Sequence, residues 1–309
     1  EVEPSIVESF LGRIEDPVKA QNTDLNIIND PAFRILMVVR LNPCLSENNL
    51  KACDKALTRI VKDYMGKEVQ SGSGRRLISF RSVSDALNCA QNLIEYFEDN
   101  KTALQGITKS TSDIILVNGT MSAKDSESTN DFTSSNQLKI KIGLSSGLPF
   151  EHEEGLFKET IDHAQRLCNA VQGKIIITSD LRDLYESENQ NNGLLGQEIR
   201  TLNQEEERFL HSLMDFLDSS YARADLKVGH FSSNLGLSKA QLYRKVKGLT
   251  GKSLNTFLKD YRLEKALELL LNKKGNISEV AFDTGFNSPA YFSKCFSQAY
   301  QILPSKLIK

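Results

Sequence analysis

The chain has 309 residues, enough for two domains with a core each, and its 39 % hydrophobic and 25 % charged residues are ordinary for a globular protein. No apolar run approaches the ~20 residues of a membrane helix and no leader pattern opens the chain; five scattered cysteines without a Cys-x-x-Cys pair, and four histidines without ligand spacing, argue against disulfides and against a metal site. The net charge of -2 hides an asymmetry, because from Leu226 onward 14 Lys/Arg face 5 Asp/Glu, and a basic final third suits a polyanionic partner.

Residues 1–32 are polar, carry Pro4, Pro17 and Pro31, and read as an arm or linker with one short amphipathic stretch over 6–14. Residues 33–41 are a nearly continuous apolar run rich in β-branched side chains, the pattern of a buried strand. A helix follows from a cap at Ser46, with Leu50, Cys53, Leu57, Ile60, Val61 and Tyr64 at helical spacing and a stop at Gly66. Residues 68–70 and 76–80 flank Gly72-Ser73-Gly74 as a hairpin, and Ser84 opens a second helix whose inward face is Ala86, Leu87, Ala90, Leu93, Ile94 and Phe97. A strand over 113–117, a Ser/Thr/Asn/Asp-rich loop over 122–136, an alternating strand over 138–144, a helix over 156–171, a strand over 174–178 and a short helix over 180–185 complete an α+β region, 33–187. Its element order contains that of a ferredoxin-like sandwich.

Gly72 to Phe97, Ile140 to Gly147 and Ile161 to Ser179 together resemble class III nucleotide cyclase domains. That resemblance implies two metal-binding aspartates, one in the first strand and one in the hairpin turn, to polarise phosphate and activate a hydroxyl. Here the first strand reads Val38-Val39-Arg40-Leu41 and the turn carries Ser73; Asp162 replaces an asparagine of the family, while Arg166 matches its transition-state arginine. The expectation is a degenerate, non-catalytic cyclase-like domain that dimerises or senses a small-molecule effector, with no metal and no cofactor.

Residues 188–207 read as a linker, and 208–309 as an all-α domain entered by an amphipathic helix on Phe209, Leu210, Leu213, Met214 and Leu217. Two helix-turn-helix patterns follow in tandem, over 231–251 and 277–296, joined by a long helix over 253–271, with turns at Gly236 and Gly285 and caps at Ser238 and Ser288. In the first, Leu242, Val246 and Leu249 must face inward, which turns Lys239, Ala240, Gln241, Tyr243, Arg244 and Lys247 outward. Arg244 suits guanine and Gln241 adenine. In the second, Phe292 and Phe296 face inward and leave Pro289, Ala290, Ser293 and Lys294 for a groove; Lys245, Lys252, Lys273 and Lys274 suit phosphate, the last two equally a helix dipole.

From about Arg208 the chain resembles the AraC-type DNA-binding domain, carried by the run from Leu237 to Ser253, Tyr261 to Leu271, Ile277 to Phe296, and Pro304-Ser305. It departs at Ser232, where the family favours alanine, and at Gln301, where glycine usually turns the chain. The resemblance implies a cytoplasmic bacterial transcription regulator on double-stranded promoter DNA, with recognition helices in successive major grooves. The alternatives are a nucleotide cyclase with a DNA-binding tail, or a protein-binding scaffold domain fused to a DNA-binding module.

Overall fold

The structure, a computed structural model, describes residues 32–41, 47–72, 75–100, 140–149, 157–189 and 198–308. The arm over 1–31, the cap at Ser46, the turn at Ser73-Gly74, the strand over 113–117 and the loop over 122–136 lie outside the described residues.

Six strands, β1 (Arg34–Leu41), β2 (Lys67–Gly72), β3 (Arg75–Phe80), β4 (Ile140–Gly147), β5 (Ile175–Ile177) and β6 (Ile199–Thr201), form one sheet in the order β2-β3-β1-β4-β5-β6. β1 is antiparallel to both β3 and β4, whereas β4, β5 and β6 are mutually parallel. With α1 (Glu47–Asp63) and α2 (Val83–Asp99), the first four strands make the βαββαβ unit of a ferredoxin-like sandwich. Side chains alternate across the sheet. Ile35, Met37, Val39, Ile78, Ile142 and Ile177 point to the face covered by α1, α2 and α4 (Ser179–Glu188), and the expected inward face of α2 is buried throughout. Leu36, Val38 and Leu77 point to the other face, under α3 (Lys158–Ala170). Gly143 admits α3 to van der Waals contact, since a Cβ there would lie 2.4 Å from the Ala164 carbonyl oxygen. Cys53, Cys89, Cys168 and Cys295 are buried free thiols, and burial pushes Cys53 up to about 11 and Cys89 up to about 12.

Some local assignments change. The N-cap of α2 is Ser82, whose hydroxyl accepts from the Asp85 amide, rather than Ser84. The left-handed residue that ends α1 is Met65, φ 58°, and Gly66 is required because a Cβ would meet the Phe80 ring at 2.7 Å. The span read as a linker, 188–207, holds β6 and the start of the next helix, α5 (Gln204–Ser220), and β6 closes the sheet beside β5.

The C-terminal helices are α5, α6 (Val228–Leu235), α7 (Lys239–Thr250), α8 (Leu254–Leu271), α9 (Ile277–Asp283) and α10 (Pro289–Tyr300), followed by a 3₁₀ turn at Pro304–Lys306. Their cores are two. Leu210, Leu213, Leu217, Phe231, Leu242, Val246 and Phe257 pack together and onto Leu167, Val171, Ile176 and Leu202 of the sheet domain, so the first helix-turn-helix shares a core with it. Leu263, Leu270, Val280, Phe286, Phe292 and Phe296 form a separate core for the second.

Gln301 closes α10 in the left-handed conformation, φ 57°, with its amide donating to Ser297. A side chain there is strained by about 1 kcal/mol. Gln301→Gly is therefore expected to stabilise the chain by about that amount, read as a rise in the midpoint of denaturant unfolding with unchanged slope.

Candidate nucleic-acid interface

Each recognition helix is fixed at its start by a serine cap. Ser238 Oγ accepts from the Gln241 amide at 3.2 Å while Gln241 Oε1 accepts from the Ser238 amide at 3.0 Å, a reciprocal capping box; Ser288 Oγ accepts from the Tyr291 amide at 3.3 Å, and Pro289 takes the first helical position, where a missing N–H is harmless. Gly236, φ 64°, and Gly285, φ 79°, make the turns. Leu242, Val246, Leu249, Phe292 and Phe296 are buried as the helical phase requires.

The opposite faces are open. Lys239, Ala240, Gln241, Tyr243, Arg244 and Lys247 are exposed on α7; Ala290 and Lys294 are exposed and Pro289 and Ser293 half-buried on α10. Tyr243 and Tyr291 are 57 % and 56 % exposed, so neither belongs to a core. Gln241 uses its carbonyl oxygen in the cap, which leaves its amide N–H groups outward and weakens the expected two-bond reading of adenine. Lys247 donates to the Gly251 carbonyl at 2.8 Å. Lys245 and Lys252, read as phosphate contacts, are paired with Glu205 at 2.5 Å and Asp260 at 2.6 Å.

Behind this face the module is tied to the sheet domain by charge. Arg200 of β6 donates to the carbonyls of Gly248 and Leu249, each at 3.1 Å, and so caps the C-terminus of α7, where a cation complements the helix dipole. The Gln172 amide donates to the same Leu249 oxygen at 2.9 Å. Glu264 of α8 accepts from Arg40 at 3.1 Å and from Arg75. Arg166 of α3 meets Asp215 at 2.6 Å and Asp218 at 3.3 Å, both on α5, and Asp218 also accepts from Tyr261. Sequence reasoning singled out Arg40 and Arg166 but not these partners, because no spacing rule links residues 40 and 264.

One further contact crosses this boundary. The His163 ring of α3 lies 4.5 Å from that of His211 on α5, with Arg166 Nη1 3.1 Å from His211 Nδ1 and Ser145 Oγ 3.5 Å from His163 Nδ1. Burial first, then His211 and Arg166, hold His163 down at about 4; burial and Arg166 lower His211, against Asp215 and Glu159.

A family model described as a helix-turn-helix domain matches residues 231–309. The chain is 35 % identical over 106 residues to a protein named histidine kinase P4 of Formosa agariphila, covering 34 % of this chain and 8 % of that one. It is 38 % identical over 66 residues to the transcriptional activator RhaS of Mannheimia succiniciproducens, covering 21 % of this chain and 25 % of that one. A solved transcriptional regulator with an AraC-type DNA-binding domain, from Chromobacterium violaceum, is 22 % identical at a TM-score of 0.32, covering 34 % of this chain and 94 % of that one. The chain thus spans no more than a quarter of these two curated relatives' length. Its C-terminal part is a helix-turn-helix domain.

The histidine pair sets a pH dependence. With His163 held at about 4 in the folded protein and near 6.5 when unfolded, the unfolded chain takes up the proton first as pH falls. Its stabilisation is complete above pH ~6.5 and declines toward pH 4, by at most ~1.4 kcal/mol per unit. Denaturant unfolding at pH 7 and pH 4.5 should show a larger difference for the native chain than for His163→Gln; equal differences would exclude His163 as the source.

Proposed function

We propose that the chain is a transcription regulator that binds double-stranded promoter DNA through α7 and α10, and that its sheet domain is a non-catalytic, cyclase-like partner that senses a small molecule or pairs with a second copy. The observation that carries this is the division of the C-terminal domain into two surfaces. One is held against the sheet domain by buried and paired groups. The other presents Lys239, Tyr243, Arg244 and Lys294 to solvent, and none of these four has an ion pair among the described residues. Arg244 projects from the middle of α7 and is the side chain best suited to a two-bond contact with guanine. Lys239 stands at the first turn of α7, near where phosphates flank a groove. The second unit offers Lys294 with small neighbours, and contributes mainly by fit and position.

The non-catalytic reading is supported by what stands where a cyclase resemblance would demand carboxylates. The first strand has none, the sequence carries Ser73 where the resemblance expects the second aspartate, and Arg40 and Arg75 converge on a glutamate from another domain. A site for two divalent cations needs the opposite charge. Among the described residues no helix is long and apolar enough to cross a membrane.

The test begins by selecting a preferred DNA site from genomic fragments with the whole chain. Arg244→Ala is then expected to weaken binding to that site by ~1–3 kcal/mol and to relax preference at one base pair. Lys239→Ala should weaken all sequences alike and lower the slope of log affinity against log salt by roughly one unit. Unchanged affinity and preference in the Arg244 variant would remove its role in readout, and failure to select any site would remove the proposal.

A further inference from the structure

Three cations stand side by side across the middle of the sheet. In the pairing register Arg40 of β1 lies opposite Arg75 of β3 on one side and Lys141 of β4 on the other. All three therefore leave the same face, the one that Val38 and Leu77 share beneath α3. Like charges directly opposite one another across strands repel. The protein sets one carboxylate against the row, Glu264, which takes both arginines. The Lys141 ammonium group is left without a hydrogen bond or ion pair among the described residues, and burial, ahead of the effects of its neighbours, pushes it down to about 8. Lys252, beyond the end of α7, joins Arg40 and Lys141 on the wall of a cavity of about 320 Å³ between the sheet and α8, with Asn169, Thr250 and Tyr300. Asp260 holds Lys252 at 2.6 Å. On the cavity wall Arg40, Lys141 and Lys252 face Glu264 and Asp260, so one positive charge stays unanswered there, while Arg75, outside this cavity, shares Glu264 with Arg40 and also feels Glu268.

We propose that this cavity is a binding site for a phosphate group, which pairs with Lys141 and Lys252 and competes with Glu264 for Arg40. A phosphate dianion answers the free charge of Lys141 and that of Arg40 once Glu264 is left to Arg75, and it offers oxygens in three directions, matching donors that arrive from β1, from β4 and from beyond α7. A carboxylate offers one charge and two oxygens in a plane. The cavity exceeds a bare phosphate and leaves room for a small organic group on it. Because α8 carries Glu264 and joins both helix-turn-helix units, a ligand that takes Arg40 loosens the tie between the DNA-binding domain and the sheet. This deepens the sensing role proposed above, but the site stands on its own charges and is testable without DNA.

Calorimetric titration of the whole chain at fixed ionic strength, with inorganic phosphate in one arm, ribose 5-phosphate in a second and sodium chloride as control, reads the site directly. Saturable binding of one equivalent is expected. Lys141→Met should lower the affinity at least tenfold, and Glu264→Gln should raise it severalfold by removing the competitor. Lys252→Met, at a side chain half in solvent, provides a second loss should Lys141→Met fail to fold by circular dichroism. Binding in both arms identifies the phosphate alone as the recognised group; binding of the sugar phosphate only means that it is read together with its substituent. No saturable binding in either arm, or folded Lys141 and Lys252 variants that bind like the native chain, overturns the proposal.

Discussion

Glu264 sits between Arg40 and Arg75, and the arrangement of the two domains depends on that contact. A carboxylate 15 % exposed with two guanidiniums on it is a strongly coupled group. Removing it would leave two arginines facing each other across adjacent strands, uncompensated, which is far worse than losing a surface ion pair. The contact is also specific in direction: it fixes which face of α8 meets the sheet, and with it the orientation of everything α8 carries.

The charge asymmetry of the chain takes on a different meaning in this light. The basic final third holds only five acidic residues, and three of them, Asp260, Glu264 and Glu268, follow one another at four-residue intervals on α8. That spacing makes a single stripe along one side of a helix. All three line cavities against the sheet domain. Three of the five acidic groups are therefore gathered on the docked side, and none stands on the outward face of α7, which carries cations and neutral side chains. A domain strongly positive overall can thus rest on a row of cations without repelling it.

The C-terminal domain was legible in the sequence because each of its signals is local. Gly236 and Gly285 mark turns, Ser238 and Ser288 mark caps, and the intervals between Leu242, Val246 and Leu249 give the helical phase without reference to anything distant. Most of the sheet was legible for the same reason, from the alternation in 138–144 and the apolar run in 33–41. What escaped is non-local. β6 has three residues in a polar stretch, and its pairing with β5 is visible only once Leu202 is seen buried among residues of α5 and α7. The helix α5 reads as the opening of the second domain, yet its apolar face serves both. The row of Arg75, Arg40 and Lys141 is invisible in sequence because it exists only in the strand register. The cap at Ser82 was missed for a plainer reason: Ser84 lies two residues away and is equally suited by composition.

The two cores of the C-terminal domain have a mechanical meaning. The first helix-turn-helix shares its hydrophobic interior with the sheet domain and is clamped by Arg200, so it behaves as part of a rigid base. The second is built on the far half of α8, a rod about 27 Å long, and its apolar core is formed with that rod rather than with apolar residues of the sheet domain. The two units thus differ in what holds them: the first shares its interior with the sheet domain, and the second takes its place from α8.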